Sequence, residues 1–150
     1  NSRSIAIIGD GENQEGQIWE GAMFAAHKKL NNLIVYLDYN KLQSDDENKN
    51  IVALEPLTSK WTSFNWNVIE IDGHNHNEIN NSFKSSFSSS MPTLVISHTV
   101  KGKGISFMEN IPFWHGSVTM SEVQLRESLL ELFVDEKDVL AYIDGSVYNN

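Results

Sequence analysis

Four short runs of mostly aliphatic residues, each ending at a polar residue or glycine, constrain this chain most. They are Ile5-Ala6-Ile7-Ile8, Leu33-Ile34-Val35-Tyr36-Leu37, Val68-Ile69-Glu70-Ile71 and Leu94-Val95-Ile96-Ser97. Runs this short and rich in Ile and Val suit strands buried on both faces of a parallel sheet. Helical spacing fills the gaps between them. Ile18, Trp19, Ala22, Met23, Ala25, Ala26 and Leu30 recur at three and four residues, so a largely buried helix is expected there, closed by Asn31-Asn32. Pro56 to Trp66 reads as a second helix and Asn77 to Phe87 as a Ser-rich third. Ser121-Glu122-Val123-Gln124 has the form of a capping box, and Leu125, Leu129, Leu132 and Phe133 continue its apolar stripe. Alternating strands and helices predict the α/β class: a doubly wound parallel sheet with right-handed crossovers, residues 1–150 forming one domain.

The remaining segments read as connections. Gln43 to Asn50 is polar and acidic and is expected to be exposed. Ser85 to Ser90 reads as a loose helix end, and Lys101 to Phe113 as a surface loop. With 40% hydrophobic and 21% charged residues the chain has a globular composition. The absence of cysteine excludes a disulfide scaffold, a zinc-thiolate site and a Cys nucleophile. A net charge of −9 argues against nucleic acid and against an anionic membrane surface as partners. No apolar run approaches the roughly 20 residues of a transmembrane helix. Asn1-Ser2-Arg3-Ser4 lacks an initiator Met and a signal-peptide pattern, so the expectation is a cytoplasmic domain, and a fragment of a longer one.

Chemistry concentrates after the first strand. Gly9-Asp10-Gly11 lies between a strand and a helix, at the carboxyl edge where open α/β sheets bind ligands. Glycines there allow a tight turn and close approach of a phosphate to backbone N–H groups. Gln14 occupies the third glycine position of a dinucleotide fingerprint, and the Gly-Lys-Ser/Thr of a P-loop is missing. Asp10 therefore needs its own explanation, because a carboxylate facing a phosphate is repelled by about 4 kcal/mol at about 4 Å in a semi-buried setting. A divalent cation between them reverses the sign, and magnesium takes hard oxygen ligands partly supplied by phosphate. Asn40 stands thirty residues downstream, after the next strand. One βαβ unit brings those two strand ends together, so Asp10 and Asn40 can share one ion.

Together with Glu15-Gly16, Glu20 and the run Leu33 to Asp38, these residues resemble the thiamine-diphosphate-binding motif of transketolases. The resemblance continues through Ile71-Asp72-Gly73-His74, Thr99-Val100-Lys101-Gly102-Lys103-Gly104 and Phe107-Met108-Glu109-Asn110 to Trp114-His115-Gly116. It covers residues 4 to 135 and is most like split transketolases, whose N-terminal half is a separate subunit. It implies transfer of a two-carbon ketol unit between sugar phosphates, with thiamine diphosphate and Mg²⁺ as cofactors. It also implies a homo- or hetero-oligomer completed by a pyrimidine-binding C-terminal subunit or domain. Asp10, Asn40 and the carbonyl of Leu42 would be the metal ligands. Gly9, Asp10, Gly11, Glu12, Asn40, Leu42 and His115 would contact the cofactor, Gly11 through its N–H to the diphosphate. His115, Glu15 and Glu20 would be catalytic, the glutamates through an acidic network that links two active sites. An imidazole such as that of His115 can hydrogen-bond a developing oxyanion or relay a proton.

Other polar residues have plainer readings. His27 is a surface or packing residue, His98 points to the active edge, and His74 and His76 are loop residues. Lys101 and Lys103 serve solubility or meet a phosphorylated substrate. Trp19, Trp61 and Trp66 belong to the core. Ser44-Asp45-Asp46 replaces the family's Asp-Gly turn after the metal loop. The family's long segment ahead of the first strand is absent, as is the glutamate that activates the aminopyrimidine. Rival readings are the E1 α subunit of a 2-oxo acid dehydrogenase, a deoxyxylulose phosphate synthase relative, and a cofactor-free structural subunit. The first usually has Asn-Asn and Tyr-Gly-Met-Gly where this chain has Tyr39-Asn40-Lys41-Leu42; the second usually lacks a glutamate at position 15.

Overall fold

All four apolar runs form strands: β1 (Ser4–Gly9), β2 (Leu33–Tyr39), β3 (Asn67–Asp72) and β4 (Thr93–His98). The computed structural model describes residues 2–44, 46–116, 118–132, 135–143 and 146. The helices are α1 (Gly16–His27), α2 (Asn48–Ile51), α3 (Leu57–Ser63), α4 (His76–Phe87), α5 (Glu122–Glu131) and α6 (Glu136–Ile143). Short 3-10 turns occupy Glu12–Gln14 and Pro112–His115. The chain forms two compact units, Asn1–Thr99 and Val100–Asn150. No helix among the described residues is long and apolar enough to cross a membrane.

The first unit holds a wholly parallel sheet of order β1-β2-β4-β3. Alternation along β2 sorts its side chains between two layers. Val35, Leu37 and Tyr39 face a cluster completed by Ala22 and Ala25 of α1, Leu57 and Trp61 of α3, and Leu94 and Ile96 of β4. Ile34 and Tyr36 face the other way, with Val95 and Ile71, under Ile79 and Phe83 of α4. Helices on both faces make the sheet doubly wound. β1 is the edge strand, and on the α4 side its Ile5 and Ile7 are 52% and 77% exposed although they pair in register with buried Ile34 and Tyr36.

Local rules place the helix ends. Asn75 caps α4 by accepting from the N–H groups of Asn77 and Glu78. In the second unit Ser121 and Gln124 form the expected reciprocal capping box of α5. Glu131 at the end of α5 accepts from both the N–H and the hydroxyl of Ser106.

Several expectations need correction. α1 ends at His27 rather than Asn31, because Lys29 turns into the left-handed region at φ +52° and Leu30 N–H returns to Ala25. Nor is α1 buried all round: Ala22 and Ala25 are buried, while Met23 and Phe24 are exposed. α3 stops at Ser63, where Asn65 at φ +63° sends the chain into β3 and leaves Trp66 outside the helix. Segment 43–50 is not uniformly exposed, since it folds into an antiparallel bridge between Leu42 and Glu47 and into α2, whose Asn48 is buried. His76 begins α4 instead of lying in a loop. α6 has no counterpart among the sequence signals. Phe133 and Asp45 lie outside the described residues.

Candidate functional site

β1 and β2 run side by side with Gly9 opposite Asp38, so the turns that follow them meet at one corner of the sheet's carboxyl edge. Asp10 is 2% exposed. Its Oδ1 accepts from Gly11 N–H at 2.8 Å and its Oδ2 from Lys41 N–H at 2.6 Å. Lys41 holds a left-handed φ of +68°, a conformation that costs a side-chain-bearing residue of order 1 kcal/mol and that clusters at functional sites. Asn40 is also buried; its Oδ1 accepts from Leu42 N–H at 2.9 Å and its Nδ2 donates to Asp38 Oδ2 at 3.4 Å. Beyond Leu42 the chain doubles back, with Gln43 N–H donating to Asp46 and Asn48 N–H to Lys41, each at 2.9 Å. This return presses Gln43 against Gly11, where an added Cβ would meet Gln43 Oε1 at 3.2 Å. The φ of −62° at Gly11 is ordinary, so what a side chain there would meet is limited space: Gln43 would have to give by a few tenths of an ångström.

Burial pushes the Asp10 carboxyl above the usual carboxylate range, and the negative charge of Asp38 adds to the rise. The N–H groups of Lys41 and Gly11 and the nearby amide of Asn48 oppose it by favouring the charged form. The segments that follow β1 and β2 hold buried polar atoms with no hydrogen-bond partner of good geometry: both amide atoms of Asn13, both of Asn48, and Nε2 of Gln43. Asn13 is 0% and Asn48 4% exposed. Each orphaned polar atom costs about 1–3 kcal/mol, so five in one unit mark a place built to hold something polar. Among the described residues no three His, Asp or Glu side chains gather as a metal site. A cation here would need amide, carbonyl and ligand oxygens besides Asp10, the donor set that Mg²⁺ accepts when it bridges to phosphate.

The other expected site residues are placed as follows. Glu12 is exposed and turned back, its Oε2 accepting from Gly9 N–H at 3.2 Å. Glu15 precedes α1 and Glu20 lies within it; both are exposed, Glu15 accepts from the amide of Gln17, and no hydrogen bond joins the two glutamates. His115 ends the 3-10 turn Pro112–His115 of the second unit, half-buried, with an unpartnered Nδ1. His98 meets Glu70 of the neighbouring strand at 2.9 Å, with the ring of Tyr39 edge-on to it. The structure thus brings Gly9, Asp10, Gly11, Asn40 and Leu42 together. It adds Asn13, Asp38, Gln43 and Asn48, which sequence reasoning passed over. Only the spacing of Asp38, two residues before Asn40 on a buried strand, offered a signal.

The family model for the thiamine diphosphate binding domain of transketolase matches residues 1–138. A subunit of a 6-deoxy-6-sulfo-D-fructose transketolase from a Clostridium species is 43% identical over 131 residues, covering 87% of this chain and 46% of that protein. A comparable subunit of apulose-4-phosphate transketolase from Phocaeicola vulgatus is 39% identical over 131 residues, with the same coverage of 87% and 46%. Human transketolase is 32% identical over 142 residues, 93% of this chain and 22% of that protein. The chain therefore spans about half the length of the first two relatives. Transketolase from Campylobacter jejuni superposes with a TM-score of 0.84 at 25% identity, covering 91% of this chain and 21% of that structure. The parallel sheet, the Gly-Asp-Gly turn and these likenesses agree: the chain belongs to the transketolase family, matching its thiamine diphosphate binding domain.

Proposed function

We propose that this chain is the diphosphate-binding part of a transketolase-like enzyme that moves a two-carbon ketol unit between anionic sugars. Asp10, Asn40 and the carbonyl of Leu42 hold Mg²⁺, and the turn Gly9–Glu12 receives the diphosphate of thiamine diphosphate. The observation that carries this reading is the buried, doubly hydrogen-bonded Asp10 among orphaned polar atoms, a carboxylate whose burial is offset once a cation binds. When bound, the cofactor would supply a nucleophilic thiazolium carbon and a ring able to take up the electron pair released when the ketose C2–C3 bond breaks. His115 hydrogen-bonds substrate oxygen and moves a proton there. A pyrimidine-binding subunit or domain supplies the acid that activates the cofactor, and Glu15 and Glu20 meet that partner. Two relatives are named as subunits and for sugars that bear a phosphate or a sulfo group, which supports the partner and the anionic substrate class.

Isothermal titration of the full protein with thiamine diphosphate, with and without EDTA, tests the site. Binding should need Mg²⁺, and Asp10→Ala should abolish it. Metal-independent binding of equal strength, unchanged in Asp10→Ala, would sink the reading.

A further inference from the structure

Asp38 stands in β2 between the two candidate ligand turns, without a task in the proposed function. Its two oxygens are divided. Oδ1 accepts from the hydroxyl of Thr99, the residue that follows β4, and Oδ2 accepts from Asn40 Nδ2 at 3.4 Å. Thr99 is itself tied to β2, its N–H donating to the Tyr39 carbonyl at 3.3 Å. On its other side the Asn40 amide accepts from Leu42 N–H at 2.9 Å. An amide turned over by half a rotation would set its oxygen against the Asp38 carboxylate and its NH₂ against the Leu42 N–H. Two attractive contacts would become two repulsive ones, so this network fixes which end of the amide is which. That choice decides whether Asn40 can serve a cation at all, because only the oxygen can be a ligand.

We infer that Asp38, anchored by Thr99, is a positioning residue for Asn40: it holds the amide in the one orientation that offers Oδ1, and not an N–H, to a cation. The end of β4 thereby shares in shaping a site whose ligands come from the ends of β1 and β2. The inference rests on the reading of Asp10 and Asn40 as cation ligands. Partners one step beyond metal ligands typically change metal affinity by about 10–100-fold when removed. A plain alternative is that Asp38 merely adds negative charge near the ion.

Mn²⁺ is titrated by EPR into the full protein with thiamine diphosphate present, for wild type, Asp38→Asn, Thr99→Val and Asn40→Asp, and for the latter combined with each of the first two. Metal-free melting of each variant reports the fold. Asp38→Asn should weaken Mn²⁺ binding about tenfold or more, and Thr99→Val should weaken it less, in the same direction. Asn40→Asp has no N–H to orient, so in that background Asp38→Asn should cost nothing or tighten binding. Equal affinity of wild type and Asp38→Asn overturns the inference; so does an equal loss in both backgrounds, which marks a bulk charge effect. If Asp38→Asn does not melt cooperatively, the same comparison made with Thr99→Val decides. Wild-type Mn²⁺ binding that Asp10→Ala leaves intact would instead overturn the ligand assignment, and the inference with it.

Discussion

Asp10 is buried as an acid whose neighbours only partly offset its desolvation. A carboxyl with a raised folded-state pKa contributes stability at low pH and loses it as pH rises through that value. At neutral pH and without metal, Asp10 therefore works against the fold. Asp10→Asn removes the buried charge but turns an NH₂ against the N–H of Gly11 or Lys41. The two effects oppose, so the metal-free melting temperature should move by no more than roughly 2–4 °C, about 1 kcal/mol in a domain of this size. The same variant should lose the rise that the proposed binding of Mg²⁺ and thiamine diphosphate predicts for the wild type. An unchanged ligand response would count against the cation role. Glu55 shows the opposite sign. The hydroxyl of Tyr39, at 2.5 Å, and then the N–H of Leu57, at 2.8 Å, hold its carboxyl below the usual range. Its contribution is present above the ordinary carboxylate pKa and is lost as pH falls through the lowered value. Because Glu55 is exposed, Glu55→Gln should cost no more than about 1 kcal/mol at pH 7. In urea titrations the difference between the two proteins should shrink as pH falls below the ordinary carboxylate range, and a constant difference would refute the linkage.

At the scale of elements, the contact between α1, α3 and the sheet is built from tryptophans. Trp61 is buried in α3, 4.9 Å from the Trp66 ring and 5.4 Å from Trp19. Trp66, just before β3, donates its Nε1–H to the Ala22 carbonyl of α1 at 2.9 Å, whereas the buried Nε1 of Trp61 has no partner. Trp66→Phe and Trp61→Phe remove the same ring area, but only the first removes a hydrogen bond. Trp66→Phe should be the more destabilising by about 1 kcal/mol in denaturant titrations; equal losses would mean the bond contributes nothing. Trp19 is half-buried against Trp61 and Phe64, so it belongs to this cluster and not to surface awaiting a partner. Met23 and Phe24, on the same helix, are the side chains left open.

At the scale of the whole molecule, the proposed reaction needs an acid that can reach the aminopyrimidine of thiamine diphosphate. Within the first unit Asp10 is engaged by two N–H groups, Asp38 by Thr99 and Asn40, and Glu12 by Gly9. Glu15 and Glu20 are exposed, and Glu20 lies on α1 three and four residues before the exposed Met23 and Phe24, as residues that meet a partner would be. The chain alone should therefore show ketol transfer from xylulose 5-phosphate to ribose 5-phosphate at least about 100-fold below that of the assembled enzyme, the contribution of one positioned acid. Comparable turnover by the purified chain would show that it carries its own activating acid. Gln at both Glu15 and Glu20 should impair assembly in sedimentation experiments while leaving the chain folded; wild-type assembly and activity would dismiss the interface role.

The sequence by itself determined the elements whose signals are local. Aliphatic runs located all four strands, Ser121 and Gln124 marked the start of α5 through contacts three residues apart, and the Gly-Asp-Gly turn with Asn40 pointed to the corner where the candidate site lies. It misjudged the end of α1 and the segment 43–50, because Lys29 in a left-handed turn and Asn48 in a buried one look like ordinary surface residues in a polar stretch. Tertiary structure alone decided that the strand order is β1-β2-β4-β3, so that Thr99 at the end of β4 lies beside Asp38 of β2. It also decided that Asn13 and Asn48 are buried with their amides unpaired. The physical reason is the same in each case. Periodicity and capping are energies of neighbours a few residues apart, whereas the burial of a single polar side chain is decided by segments thirty to sixty residues away, which become its neighbours only when the sheet is assembled.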